Sequence, residues 1–299
     1  MLTGLLLIAL ASASWGTTGA TMTLLARDTG VGPFLVGWAR LAVAAPCLVA
    51  AAIASGWLVP VARRARPAAE LRRHPALLVA LGLSMAAYQA CFFWAVALTG
   101  VAVAALIAIC SAPLLIAWLA AAALGERPAP VVRIALAMAV SGTALLVVGP
   151  RGLGEISGHF GFGALLAVGA GLSYAVFTVA AKRLLAAVAP LPVAAATFAL
   201  AALFLTPALL GEPRPLDRLA SGWPLLLYLG VGPTAVAYVL FTAGLSRVTA
   251  TAAGIVSLIE PLTAASLGVA VFGESLGALG VLGGAFLLAS LGLLATRSP

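Results

Sequence analysis

Two charged residues stand in the middle of apolar runs. Glu260 sits in "SLIEPLTAAS" (Ser257–Ser266) with a proline directly after it, and Arg40 sits about nine residues into the run 31–54. An ionised side chain in such a setting is costly, at about 2.5–3.5 kcal/mol on insertion scales, and is kept where it faces a protein interior or a watery cavity. Both lie about 14–15 Å from the ends of their segments, so they reach similar depths. An Arg40–Glu260 pair, direct or across a bound molecule, is geometrically possible. Three uses compete: a structural tie, a carboxylate that exchanges protons, and a receiver for the two ends of a zwitterionic small molecule.

Other polar groups accompany them. Trp15, Tyr88, Tyr174 and Tyr238 lie well inside their segments rather than at the edges, where aromatic residues serve as anchors. Gln89 has two amide functions to satisfy and is the least comfortable of the set in an apolar medium. Thr234, Tyr238 and Thr242 follow i, i+4, i+8 spacing, and Ser257 shares a helical face with Glu260 and Ala264. Singly, each aromatic is explained by helix packing; together they suit a mixed aromatic and polar cavity. Pro113 and Pro261 each remove a backbone hydrogen bond, which suits either a static kink or a bending, gating helix.

The elements that must carry these residues are membrane helices. Hydrophobic residues make up 64% of the 299-residue chain and charged residues 8%, with a mean hydropathy of +1.19. So few charges cannot clothe a core of that size in water. The three cysteines, Cys47, Cys91 and Cys110, lie in apolar runs and suggest neither a disulfide framework nor a metal site. The N-terminal "MLTGLLLIALASASWG" lacks a basic leader and reads as a first span rather than a signal peptide. Cutting at charges, prolines and glycines predicts ten spans, at approximately 3–25, 31–54, 75–97, 101–124, 130–149, 160–181, 188–210, 222–244, 250–272 and 276–295. The expected fold class is therefore an all-α polytopic membrane protein.

The net charge of +8 is a matter of topology, not of nucleic-acid binding. With the N-terminus inside, eleven Lys and Arg residues fall on the cytoplasmic side: Arg63, Arg64, Arg66, Arg72, Arg73, Arg127, Arg133, Lys182, Arg183, Arg247 and Arg297. Four fall opposite: Arg27, Arg151, Arg214 and Arg218. The bias predicts cytoplasmic N- and C-termini. The basic run "VARRARPAAELRR" is either a solvated loop or a contact with anionic lipid headgroups.

The chain also repeats itself. Shifting residues 93–126 by 148 positions onto 241–274 aligns thirteen of thirty-four positions, including Pro113 with Pro261 and Gly125–Glu126 with Gly273–Glu274. A fainter match at an offset of 159 lays Trp15 over Tyr174. Two units, 1–149 and 156–299, would each hold five spans. An odd number inverts the second unit, a construction that recurs in secondary transporters, with the site where the halves meet.

The chain resembles the EamA-type branch of the drug/metabolite transporter superfamily over nearly its whole length. The resemblance rests on "ASWGTTG", "SAPLLIAWLAAAALGERP" and "SLIEPLTAASLGVAVFGES", with equal spacing from proline to Gly-Glu in the last two. It implies ten helices, alternating access, a central cavity and a small-molecule substrate in a bacterial cytoplasmic membrane, with export of amino acids, metabolites or toxic compounds in many members.

Glu126 and Glu274 close their spans on opposite faces and are read as helix caps or partners of nearby arginines. No phosphate-binding Gly-x-x-x-x-Gly-Lys-Ser/Thr loop occurs, and neither His74 nor His159 lies in a metal-binding pattern, so no cofactor or metal is expected. An intramembrane enzyme would need a convergent catalytic set, and a channel a filter motif or charge rings.

Overall fold

The computed structural model describes residues 1–55, 67–151, 160–211, 215–273 and 277–296, and all regular structure among them is helical. The helices begin with α1 (Leu2–Gly16), α2 (Thr18–Thr29), α3 (Pro33–Ala54), α4 (Pro67–Arg72), α5 (Pro75–Thr99) and α6 (Val101–Leu124). There follow α7 (Pro130–Arg151), α8 (Phe160–Leu184), α9 (Pro190–Leu205) and a 3-10 segment, Thr206–Gly211. The chain continues through α10 (Pro215–Ser221), α11 (Trp223–Gly230), a π-helical stretch (Val231–Val236) and α12 (Ala237–Leu245). It ends with α13 (Ala250–Ser257), α14 (Ile259–Phe272) and α15 (Gly277–Thr296).

Among the described residues, eight helical stretches are long and apolar enough to cross a bilayer. They are Leu2–Thr29, Phe34–Ala54, Pro75–Thr99, Val103–Leu124, Phe160–Leu184, Trp223–Leu245, Ala250–Val271 and Gly277–Ala295. Two further segments of the expected ten, Pro130–Leu146 and Pro190–Leu205, are shorter apolar helices. The α-helix of the second passes into the 3-10 segment at Thr206, where Pro207 has no N–H to give to the carbonyl of Leu203. Large apolar side chains such as Trp94, Trp118, Trp223 and Leu165 are exposed on the outside of the bundle. That is the surface a lipid-facing protein presents.

The most extensive helix contacts run between the first and second parts of the chain: α7 with α15, α5 and α6 with α8, and α3 and α5 with α9. Hydrophobic burial from water cannot drive such contacts in lipid, so close backbone approach does. At the crossing of α7 and α15, a Cβ added to Gly142 would lie 2.7 Å from Gly283 O, and one added to Gly283 would lie 2.5 Å from Gly142 O.

Three departures from ideal α-helix matter for the site. The first span breaks at Thr17, whose Oγ1 donates to Ser14 O at 2.8 Å. The span before α13 passes through the π stretch 231–236, which contains Pro233. The next span breaks at Leu258, with φ −71° and ψ 1°. Pro261 has no N–H to return to Ser257 O, so the turn before it loses a bond and opens there. Pro113, its counterpart at the offset of 148, lies inside an unbroken α6.

Candidate functional site

The break at Leu258 places Glu260 in the first turn of α14, where a carboxylate is favoured by the partial positive charge of the helix start. The same break meets the end of α1. A Cβ on Gly16 would approach Thr263 Cβ to 2.6 Å and Glu260 O to 2.7 Å, so only glycine lets α1 lie this close to α14. Trp15, the preceding residue, is buried, and its indole Nε1 has no hydrogen-bond partner. Two interrupted helices therefore touch at one point, each carrying a polar residue inward.

Aromatic rings surround that point. The Trp15 ring lies 4.8 Å from Tyr238, 5.3 Å from Phe241 and 6.2 Å from Tyr174, the last edge-on. Tyr174 is 6.2 Å from Tyr88, which stacks on Phe92 at 5.9 Å. Phe198 closes on Tyr238 at 4.5 Å. Tilted and edge-on pairs of this kind contribute about 0.5–1.5 kcal/mol each beyond their burial. The rings come from α1, α5, α8, α9 and α12, so the cluster ties five helices together.

The polar groups are interleaved with these rings. Glu260 and Arg40 lie within electrostatic reach of each other and of Tyr88 and Tyr238, and Glu260 also of Tyr174. In a low-dielectric interior such interactions are weakly screened. Tyr174 Oη and Ser257 Oγ share a hydrogen bond of 3.3 Å, and Ser257 Oγ donates to Ala253 O at 2.9 Å. Gln89 is buried and donates through Nε2 to Gly37 O at 3.4 Å.

The direct Arg40–Glu260 pair is not what the structure contains. The two ion pairs among the described residues both involve Glu70, with Arg73 at 2.9 Å and His74 at 3.6 Å. Buried Arg40 instead donates Nε–H to Thr234 Oγ1 at 3.1 Å, and Thr234 Oγ1 donates to Leu229 O at 2.7 Å. The second bond spans five residues, which the π-helical geometry allows. A guanidinium with a fixed neutral partner keeps its charge available to whatever else enters its surroundings.

Trp15, Arg40, Tyr88, Tyr174, Tyr238, Ser257 and Glu260 thus come together, Gln89 lies on the neighbouring α3–α5 contact, and Pro261 belongs to the break. Pro113 packs against α13, the helix that precedes the break: a Cβ on Gly254 would lie 3.5 Å from Pro113 Cα. Thr234 was visible only as part of a polar face, and nothing in its spacing points to Arg40. Gly16 carried no signal beyond lying in "ASWGTTG". Lys182, counted only as a charge in the topology, proves to donate to Leu245 O and Val248 O at 2.8 and 2.6 Å. Glu126 is a helix cap, as one of its two expected roles had it, on the first residues of α13. Glu274, His159, Arg63, Arg64, Arg66, Arg214 and Arg297 lie outside the described residues. No group of three or more potential metal ligands occurs among the described residues.

The chain matches the EamA-like transporter family twice, over residues 2–148 and 161–296. It is 36% identical over 290 residues to "Uncharacterized transporter YwfM" of Bacillus subtilis (strain 168), which covers 97% of this chain and 92% of the relative. An "Uncharacterized transporter" of Archaeoglobus fulgidus is 35% identical over 130 residues, 44% of this chain and 46% of that one. A solved structure titled "Crystal structure of protein" superposes with a TM-score of 0.79 at 24% identity, covering 98% of this chain and 96% of its own, and shares the fold. The chain belongs to the EamA-like transporter family and is a multi-pass membrane transporter.

Proposed function

We propose that the chain is a secondary transporter that moves a small amphipathic metabolite or drug-like compound by alternating access. It is built from two inverted five-helix units, 1–149 and 156–299. The two successive family matches support the division, since each falls almost wholly within one unit. Both short apolar segments would cross the membrane: the 22 residues of α7 rise roughly 33 Å, and the sixteen α and six 3-10 residues of Pro190–Gly211 roughly 36 Å, against a hydrocarbon core of about 30 Å. The bias of eleven positive residues against four supports cytoplasmic termini, and the family resemblance favours a bacterial cytoplasmic membrane. Export is the direction that the family resemblance favours.

The observation that carries the reading is the meeting of Glu260, Arg40 and three tyrosines with an unpartnered Trp15 N–H at the junction of two interrupted helices. Broken helices at mid-membrane are where transporters hold their cargo. Trp15 and Arg40 only donate hydrogen bonds, and ionised Glu260 only accepts them. A molecule with an acceptor at one end and a cationic donor at the other satisfies all three, which describes an amino acid-like compound. The same carboxylate, carried through an apolar interior, is suited to exchanging protons.

Uptake by proteoliposomes, with and without an imposed pH gradient, tests the reading. Wild-type flux is expected to saturate and to respond to the gradient. Glu260→Gln cannot exchange a proton and should transport at a rate independent of the gradient, while Arg40→Gln should raise the half-saturating concentration. Unchanged transport in both variants would remove the two charges from the mechanism. Chemically altered cargo would identify an enzyme, and unsaturable flux a channel.

A further inference from the structure

One end of α13 is held by a residue from a distant part of the chain. Gly125 closes α6 in the left-handed conformation (φ 68°), and Glu126 N–H bonds back to Ala120 O at 3.2 Å. That reversal turns the Glu126 side chain out of its own helix and toward α13. Its Oε1 accepts from Ala250 N at 2.6 Å, and its Oε2 from Thr251 N at 3.1 Å and Thr251 Oγ1 at 2.8 Å. Thr249 takes the next two donors, through Oγ1 from Ala252 N at 3.2 Å and through its carbonyl from Ala253 N at 3.0 Å. The N–H groups of the first three helical residues are thereby satisfied, two of them by Glu126, before Ala253 makes the first bond within the helix.

Lys182 completes the arrangement from the other side of the turn. Its ammonium donates to Leu245 O and Val248 O at the close of α12, and it lies within electrostatic reach of Glu126. A cation at a helix end and an anion at a helix start each oppose the local dipole. The turn 246–249 is thus gripped by two charges that α12 and α13 do not themselves carry.

Beyond the grip, α13 is a short rod of eight residues ending at the Leu258 break, where Ser257 meets Tyr174 and Glu260 follows. Its contact with α6 passes over Gly254, close to Ile116 Cδ1 and Pro113 Cα. A glycine there offers no side chain to interlock, so the polar grip at Ala250–Thr251 supplies the specific hold. We propose that Glu126 is a latch: α13 swings about Leu258, and its release from Glu126 opens the Glu260 site toward the end of the bundle that carries the 246–249 turn. The proposal rests on the alternating-access reading and adds the contact that closes one of the two entrances.

The test reads access and needs no cargo. In full-length protein with Cys47, Cys91 and Cys110 changed to alanine, Ser257→Cys is the reporter. Its reaction with a membrane-impermeant maleimide is followed in vesicles of each orientation. The reference protein is expected to label slowly from both faces; labelling from one face alone counts against alternating access, and the latch falls with it. Glu126→Gln has one acceptor oxygen in place of two and should then speed labelling from the Glu126 face by about tenfold or more, the population change expected on losing at least one charged hydrogen bond, and leave the opposite face unchanged. Thr251→Val removes one of the three bonds and should give a smaller rise on the same face. With a reference that labels from both faces, no change at the Glu126 face overturns the latch alone. An equal rise on both faces, the mark of general loosening, overturns it too.

Discussion

Arg40 gives its Nε–H to Thr234 Oγ1, 194 positions away, and so joins α3 to the π-helical stretch that leads into α12. The hydroxyl is at once acceptor for the guanidinium and donor to Leu229 O. Thr234→Val keeps the shape and removes both functions. It is expected to lower stability by about 1.5–3 kcal/mol, the usual range for a hydrogen bond to a charged group, whereas Thr234→Ser should restore most of it. Thermal unfolding of the purified variants in detergent checks this, and equal stability of the valine and serine forms would count against the assignment.

Gly16 gives the second expectation. A methyl group there meets Thr263 and the carbonyl of Glu260, so Gly16→Ala must push α1 away from α14. Overpacking of this kind costs about 1–3 kcal/mol. Thr263→Gly removes the Cβ that the added methyl meets and should recover part of the loss in the double variant. Independent, additive effects in a double-mutant cycle would show that the two positions do not touch.

The tyrosines separate ring from hydroxyl. Tyr238 is buried among Trp15, Phe177, Phe198 and Phe241, and Tyr238→Ala should cost about 3–5 kcal/mol, as for other large buried side chains. Tyr174→Phe keeps its ring contacts and loses only the bond to Ser257, so about 0.5–1.5 kcal/mol is expected. A comparable loss for both, measured by the same unfolding assay, would mean the hydroxyl is structural rather than reserved for cargo.

The α7–α15 crossing makes a fourth case. Gly142 and Gly283 bring two backbones together with no room for a Cβ. Gly142→Val or Gly283→Val should abolish the well-folded protein, seen as loss of a cooperative unfolding transition. Gly292→Ala, on the same helix α15 but with open space around it, should be tolerated.

How much of this was readable beforehand follows from what a linear pattern contains. Hydropathy fixes where a helix lies along the membrane normal, and it placed Glu260, Arg40 and the tyrosines at compatible depths. It says nothing of rotation about each helix axis, which is why Arg40 proved to turn toward Thr234 rather than into contact with Glu260. The equal spacing from proline to Gly-Glu pointed to Pro113 and Pro261 as equivalents. Only the second adjoins a break, where the acid and Ser257 flank Leu258, whereas α6 carries Ala112 and Ile109 at those positions in an unbroken helix. The π stretch at 231–236 has no periodic signature short enough to recognise in six residues. Glu126 could be read as a cap from its place at a helix end. That the helix it caps is α13 depends on packing between elements more than a hundred residues apart.

The buried indole of Trp15 has one more consequence. Trp94, Trp118 and Trp223 are exposed on the outside of the bundle, facing acyl chains, whereas Trp15 is packed against tyrosine and phenylalanine rings with its N–H unpaired. Its fluorescence should therefore answer to events inside the protein and theirs to the bilayer. An acceptor arriving at that N–H would shift the emission to longer wavelength, and a brominated lipid would quench the outer three while sparing it. On the proposed reading of the site, that indole is an optical gauge of occupancy at the junction of the two broken helices.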